Sequence, residues 1–375
     1  MHIRYLTAGE SHGKALTCII EGIPSGLKLD IDLINRELAR RMKGFGRGKR
    51  MAIEKDRIDL LSGVKGGKTL GSPISVMIGN KDHKIESLHP ITSPRPGHAD
   101  LAGLLKFASK DVREILERAS ARETAARVTV GSIAKIMLAE FNIDLLSHVI
   151  TIGKIKTKKT TTFSRIKALS ERSPVRCIDH KASSLMCREI KNAIKKGDTL
   201  GGIFEIIIKG VPPGIGSYTQ WDARLDGNLA KSIMSVPGVK GIEIGIGFDA
   251  AFKPGSLTHD AIYFNKRSHA FYRKSNNAGG LEGGVSNGED IILRAAMKPI
   301  ATMKKPLNSI DIITKKSKKA QIERADVCAV PACGVISESM CAIEIAKGMR
   351  EKFGGDSISE MKRNYKMYMK ALKRM

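Results

Sequence analysis

The chain has 375 residues, 42% of them hydrophobic and 27% charged, which is enough apolar material for a large folded core. No stretch approaches the roughly 18 consecutive apolar residues of a membrane span, and the opening Met1-His2-Ile3-Arg4-Tyr5 lacks the pattern of a secretory signal. The net charge of +26 is spread along the whole length and aromatic residues make up only 5%, which speaks against a focused basic tail or a base-stacking platform. A soluble cytoplasmic protein with no nucleic-acid or membrane partner is expected.

In chain order, Gly9-Glu10-Ser11-His12-Gly13 reads as a tight turn presenting polar side chains, because glycine permits backbone angles that other residues avoid. Neighbouring Ser and His side chains point apart on a strand and make a poor catalytic triad, so His12 is the sharper candidate, as a proton donor to an anion. A helix is predicted over Asp32 to Met42. Gly63-Val64-Lys65-Gly66-Gly67-Lys68-Thr69 imitates a phosphate-binding loop, but Ser62 stands where that pattern needs glycine, and an extended segment follows instead of a helix. Val76-Met77-Ile78 reads as a strand. Arg95-Pro96-Gly97-His98-Ala99-Asp100 groups charges around a Pro-Gly turn, and Asp100 either joins that group or N-caps the helix predicted over Leu101 to Glu117.

Ser120 and Glu123 fit a capping box that opens a helix from Ala121 to Phe141, with Arg118, Arg122 and Arg127 near its start. Cations in a first helical turn oppose the macrodipole, so a bound anion is expected there. Lys154 to Arg176 reads as a polar surface excursion, Phe204 to Ile208 as a strand and Asp222 to Ser235 as a helix. The glycine-rich run Asn276 to Gly288 is a ligand loop or a flexible turn. Arg324 and Asp326 are either an ordinary ion pair or part of a site, and Cys328 is a packed thiol. Val335 to Phe353 and the basic last twenty residues read as helices that pack on the core. The six cysteines form no C-x-x-C pair, so reduced thiols and no metal are expected.

Taken together, these clusters resemble the chorismate synthase family. Gly9 to Gly13, Arg95 to Asp100, Arg118 to Arg127, Gly197 to Gly202, Lys240 to Gly245, Asn276 to Gly288 and Arg324 to Pro331 are similar to its signatures, in its order. The resemblance implies a single α+β domain over residues 1–375. Its fold would be a β-α-β sandwich with helices between antiparallel sheets, assembled as a homotetramer. It also implies an anti-1,4 elimination of phosphate from 5-enolpyruvylshikimate 3-phosphate to give chorismate, requiring reduced FMN, with NADPH as reductant in some members. His12 would protonate the departing phosphate, and His98 would manage the proton on the reduced flavin. Asp326 would assist near the flavin N5, with Ser11 and Ser120 relaying to the histidines. Arg47, Arg50 and Arg122 would hold the substrate, and Arg41 and Arg47 fall in the nicotinamide nucleotide strip. FMN would be held by Arg118, Ala119, Ser120, Pro237, Gly238, Gly283, Lys298, Pro299, Ile300, Ala301, Thr302 and Arg324. The strip Lys43-Gly44-Phe45-Gly46 departs from the bacterial pattern, as do Ala301, Ala325 and His83. The competing readings are a basic nucleic-acid-binding protein, which the spread of charge disfavours, and a flavin reductase consuming a nicotinamide nucleotide.

Overall fold

The computed structural model describes residues 2–48, 55–323 and 326–374. β1 (Arg4–Ala8) and β2 (Ala15–Glu21) form a hairpin whose turn carries Ser11 and His12. In β2, Leu16, Cys18 and Ile20 alternate into the core, the period-two pattern of a one-sided strand. Helix α1 (Ile31–Met42) follows, with the Asp30 carboxylate accepting from the Leu33 amide at 2.9 Å. β3 (Asp59–Leu60) and β6 (Ile74–Gly79) complete an antiparallel sheet in the order β1-β2-β6-β3. Between them, β4 (Val64–Lys65) and β5 (Lys68–Thr69) fold the loop resembling a phosphate-binding motif into a small hairpin, and the segment after it runs extended into β6, as predicted, with no helix.

The single helix expected over Leu101 to Glu117 is two: α2 (Asp100–Phe107) and α3 (Val112–Ala119). Ala108 adopts a left-handed conformation (φ 51°) that ends the first, and the Asp111 carboxylate caps the second by accepting from the Arg113 amide at 2.8 Å. A 3-10 turn over Ala121–Glu123 then leads into α4 (Thr124–Ala139), so the regular helix starts three residues later than the capping box suggests. The Ser120 hydroxyl does cap this turn, accepting from the Arg122 amide at 3.3 Å, while Glu123 turns forward to pair with Arg127 at 2.7 Å.

β7 (Asp144–Ile152) and β8 (Ile155–Lys156) open the second sheet. Lys154 to Arg176 is not an idle excursion. It contains α5 (Phe163–Arg172), whose Ile166 is buried with Leu146 of β7 and whose Phe163 and Leu169 pack beside them. After α6 (His180–Lys196) come β9 (Gly202–Lys209), α7 (Leu225–Met234) and β10 (Val239–Ile244). The hairpins β11 (Ile262–Asn265) with β12 (Ala270–Arg273), and β13 (Leu281–Glu282) with β14 (Val285–Ser286), precede β15 (Ile291–Met297). The second sheet is antiparallel, in the order β10-β15-β9-β7-β8.

α8 (Val330–Phe353) starts five residues earlier than the periodicity suggested, with Pro331 in its first turn, where a missing N–H costs nothing. It is buried nearly all round because α4 covers one side and β7 and β9 cover the other. The crossing with α4 requires Gly131: a Cβ there would stand 2.3 Å from the Ser339 Cβ. α4 also packs on β1 and β2, so the helices lie between the two antiparallel sheets, giving the α+β sandwich. One apolar cluster runs through all three layers, from Leu16 and Val76 through Ile133 and Ile343 to Ile206 and Leu293. α9 (Ile358–Leu372) is the basic C-terminal helix, held by Met361 and by edge contacts of Tyr365 with Phe141 and Phe353. Among the described residues no helix is long and apolar enough to cross a membrane.

Candidate active site

His12, in the β1–β2 turn, is held through several of its atoms by residues outside that turn. The Glu117 carboxylate accepts from the His12 backbone amide at 2.8 Å and meets its Nδ1 at 2.9 Å, while the His12 carbonyl accepts from the amides of Lys84 and Ile85. The His12 Nε2 lies 3.8 Å from Asp82. Gly9 is required here: its φ is +103°, and a Cβ would sit 2.3 Å from the Ala15 carbonyl. Ser11 is buried, its amide donates to the Glu117 carbonyl, and the Ser120 hydroxyl meets its own at 3.2 Å. The two serines expected to relay protons are therefore brought together beside His12.

Arg122 is buried against Asp56, its Nη1 donating at 2.5 Å, and its Nε donates to the Asn80 side-chain oxygen at 2.8 Å. The amide of the same Asn80 donates to the carbonyls of Glu10 and Gly13, which flank His12. The other oxygen of Asp56 accepts from Arg41 at 2.6 Å. Burial works against the Asp56 charge, but Arg41 and Arg122 outweigh it and hold the carboxyl below its ordinary range. Arg41, matched by resemblance to a nucleotide-binding strip, is thus enclosed, with its guanidinium on Asp56.

The Asp100 carboxylate does not cap α2; Ala99 occupies that position without a side-chain bond. The carboxylate instead accepts from the Arg95 amide, Nε and Nη2 at 2.9, 2.8 and 3.0 Å and meets the His98 Nδ1 at 2.5 Å. Burial opposes its charge, yet His98 and Arg95 hold its pKa well below the carboxylate range. α2 and α3 make a close hairpin, in which a Cβ on Gly103 would lie 2.3 Å from Ile115. That register sets the start of α2 opposite the end of α3, so His98 and the Glu117 that holds His12 lie at the same end of the hairpin.

The strip Lys298 to Thr302 converges on this turn. Arg95 Nη1 donates to the Thr302 hydroxyl at 2.9 Å, Lys298 Nζ bonds the Gly97 carbonyl, and the Lys298 amide donates to the Gly238 carbonyl at 2.9 Å. Pro237 and Gly238 therefore border Lys298, and Pro299 lies within the same strip. The Ile300 carbonyl accepts from Thr199 at 2.7 Å, while the Leu200 amide donates to Val327, one residue beyond Asp326. Asp326 accepts from Arg47 at 2.6 Å and from the Gly48 amide at 2.6 Å. Arg118 reaches the carbonyls of Thr7 and Gly9 at 2.8 and 3.0 Å, next to Ala119 and Ser120.

Gly283 stands apart. It turns the β13–β14 hairpin at the start of α7, where the Leu225 amide donates to the Gly284 carbonyl, whereas Pro237 and Gly238 follow the far end of that ten-residue helix, about 15 Å away. Arg50 and Arg324 lie outside the described residues. The donor set suits a phosphate-bearing flavin: Arg118 and Lys298 supply cations, Ser120 and Thr302 supply hydroxyls, and Gly97 and Gly238 leave backbone uncovered. A Cβ on Gly97 would touch Ala301 and Lys298 at 3.7 and 3.8 Å, and one on Gly238 would crowd the Met297 side chain at 3.1 Å. Asp56, Asn80 and Glu117 carry no functional signal in the sequence, while Asp100, open between the Arg95–His98 group and an N-cap, belongs to the group. Each of them acts on a residue that does carry such a signal, and only Asp100 lies within the motif of its partner.

The family model for chorismate synthase matches residues 3–349. The chain is 54% identical over 370 residues to the chorismate synthase of Caldanaerobacter subterraneus subsp. tengcongensis, covering 98% of both chains. It is 51% identical to that of Alkaliphilus metalliredigens, covering 97% of this chain and 99% of that one. A solved structure described as a crystal structure of chorismate synthase superposes with a TM-score of 0.84 at 40% identity, covering 100% of this chain and 99% of the other. The chain belongs to the chorismate synthase family, a family of lyases that act with a flavin cofactor on a small-molecule substrate.

Proposed function

We propose that the chain catalyses the anti-1,4 elimination of phosphate from 5-enolpyruvylshikimate 3-phosphate, giving chorismate, with reduced FMN as its flavin. The observation that carries this reading is Asn80. Its amide ties the two carbonyls that flank His12 and its oxygen takes the Arg122 Nε, so one buried side chain couples a proton donor to an anion-holding guanidinium. Arg47 and Arg122 bind the phosphate and carboxylates of the substrate, and the net charge of +26 draws that anion in. His12 gives its proton to the departing phosphate, raising its quality as a leaving group. Ser11 and Ser120 form the hydroxyl path beside His12. His98 holds the proton that serves the flavin, and Asp326 assists proton movement near the flavin N5. Reduced FMN, when bound, supplies the electron-rich partner that the elimination needs. Arg118, Ala119, Ser120, Pro237, Gly238 and Lys298 to Thr302 form its cradle, and Gly283 joins it by resemblance.

The reading includes a homotetramer in the cytoplasm. The exposed apolar side chains Phe248, Phe252, Ile262, Phe264 and Phe271 give self-association something to bury. The test is anaerobic: photoreduced FMN plus the enolpyruvyl substrate yields chorismate, and oxidised FMN does not. No chorismate with reduced flavin would refute the reading. NADPH as sole reductant then decides whether the chain reduces its own flavin.

A further inference from the structure

We propose that Glu117 is a positioning residue for His12. It pins the Nδ1 edge so that Nε2 is the atom that gives up the proton, and Asp100 does the same for His98. The inference rests on His12 and His98 being the proton-transfer groups.

Glu117 is buried in the last turn of α3, the negative end of a helix, where a carboxylate is disfavoured unless a specific partner holds it there. That partner is His12, which uses both carboxylate oxygens: one accepts from the backbone amide at 2.8 Å and the other meets Nδ1 at 2.9 Å. Burial opposes the Glu117 charge, yet its contacts with His12 keep the carboxyl below its ordinary range. An ionised carboxylate only accepts, so Nδ1 must carry the hydrogen, and the mobile proton of the imidazolium is the one on Nε2. Because the backbone of His12 is also fixed through its carbonyl, the ring has little freedom left. Among the described residues, the charges near it include Asp82, 3.8 Å from Nε2 and paired with Lys84 at 3.0 Å, and Arg113, 3.7 Å from Glu117 and 3.3 Å from Glu323.

His98 repeats the device with a carboxylate from its own turn. Arg95 Nη2 lies 3.1 Å from Nδ1, but Nδ1 cannot both accept from it and donate to Asp100 at 2.5 Å. An unprotonated Nδ1 would set its lone pair against an ionised oxygen at that distance, so the hydrogen sits on Nδ1 and Nε2 is again the working atom.

The test uses the full-length enzyme. A Glu117→Gln side chain keeps the shape but turns one acceptor into a donor, so one of the two bonds to His12 is lost. We expect turnover to fall about tenfold or more, yet less than in His12→Ala. On a His12→Ala background, Glu117→Gln should add nothing. Losses that multiply in the double variant would show a structural role only and overturn the inference. Nitrogen-15 NMR of histidine-labelled, unsubstituted enzyme, with His12→Ala and His98→Ala giving the assignments, checks the same point without Glu117→Gln. Nδ1–H forms are expected for both histidines in their neutral state, and neutral rings bearing hydrogen only on Nε2 would overturn it. Full turnover in His12→Ala would instead remove the donor role on which the inference stands.

Discussion

Removing the charge of Asp56 is the sharpest structural perturbation of this site. Its side chain is fully enclosed, with Arg41 at 2.6 Å on one oxygen and Arg122 at 2.5 Å on the other. At such separations each attraction amounts to about 6 kcal/mol for an effective dielectric near 20. Desolvation offsets part of that, and breaking a buried pair from one side costs about 3–5 kcal/mol because the partner charge is stranded. Asp56→Asn strands two guanidiniums, so a loss at the upper part of that range is expected in urea unfolding followed by circular dichroism. Substrate binding should weaken too, since Arg122 loses one of its two named anchors, and KM should rise more than kcat falls. The folded-state pKa of Asp56 lies below its unfolded value, so its contribution is present above about pH 4 and is lost as pH falls through the folded value. The parent should lose that increment on acidification and Asp56→Asn should not. A variant within about 1 kcal/mol of the parent, with unchanged KM, would refute the claim that Asp56 organises these arginines.

His12→Ala and His98→Ala should each retain the parent circular dichroism spectrum and lose roughly 100- to 10,000-fold in turnover under reduced-flavin conditions; near-parent rates in both would remove their assigned roles. Gly131→Ala should destabilise by about 1–3 kcal/mol in urea titration despite alanine's better helix propensity, because its Cβ would meet Ser339 at 2.3 Å. A raised midpoint would show that α4 and α8 are packed less tightly than described. Burial pushes the Cys328 thiol up to about 11 and those of Cys18 and Cys333 up to about 12, so all three should resist alkylation at neutral pH until the protein unfolds. Rapid native labelling of any of them, read by mass spectrometry, would contradict that burial.

The site is legible in the sequence where its chemistry is local. The turns around His12 and His98 are each encoded within a few residues, and Arg122 follows its N-cap Ser120 by two positions. Distant partners leave no such trace. Glu117 lies 105 residues from His12, Asp56 66 from Arg122 and Asn80 42 from Arg122, and no periodic pattern links such pairs. Two further features of the fold do carry local signals. Asp111 with Glu114 three residues on is a helix-start pattern inside what reads as one helix, and it marks the α2–α3 break that puts His98 and Glu117 at the same end of the hairpin. Phe163, Ile166 and Leu169 recur at a three-residue spacing inside the Lys154 to Arg176 segment, and they are the residues that dock α5 on the second sheet.

The most direct test of the account is a crystal structure of the enzyme with oxidised FMN and 5-enolpyruvylshikimate 3-phosphate. The account predicts the His12 Nε2 within hydrogen-bond reach of the phosphate ester, Arg122 on an anionic group of the substrate, and His98 with Asp326 along the flavin. Substrate and flavin bound in separate cavities, with His12 and Arg122 touching neither, would contradict it.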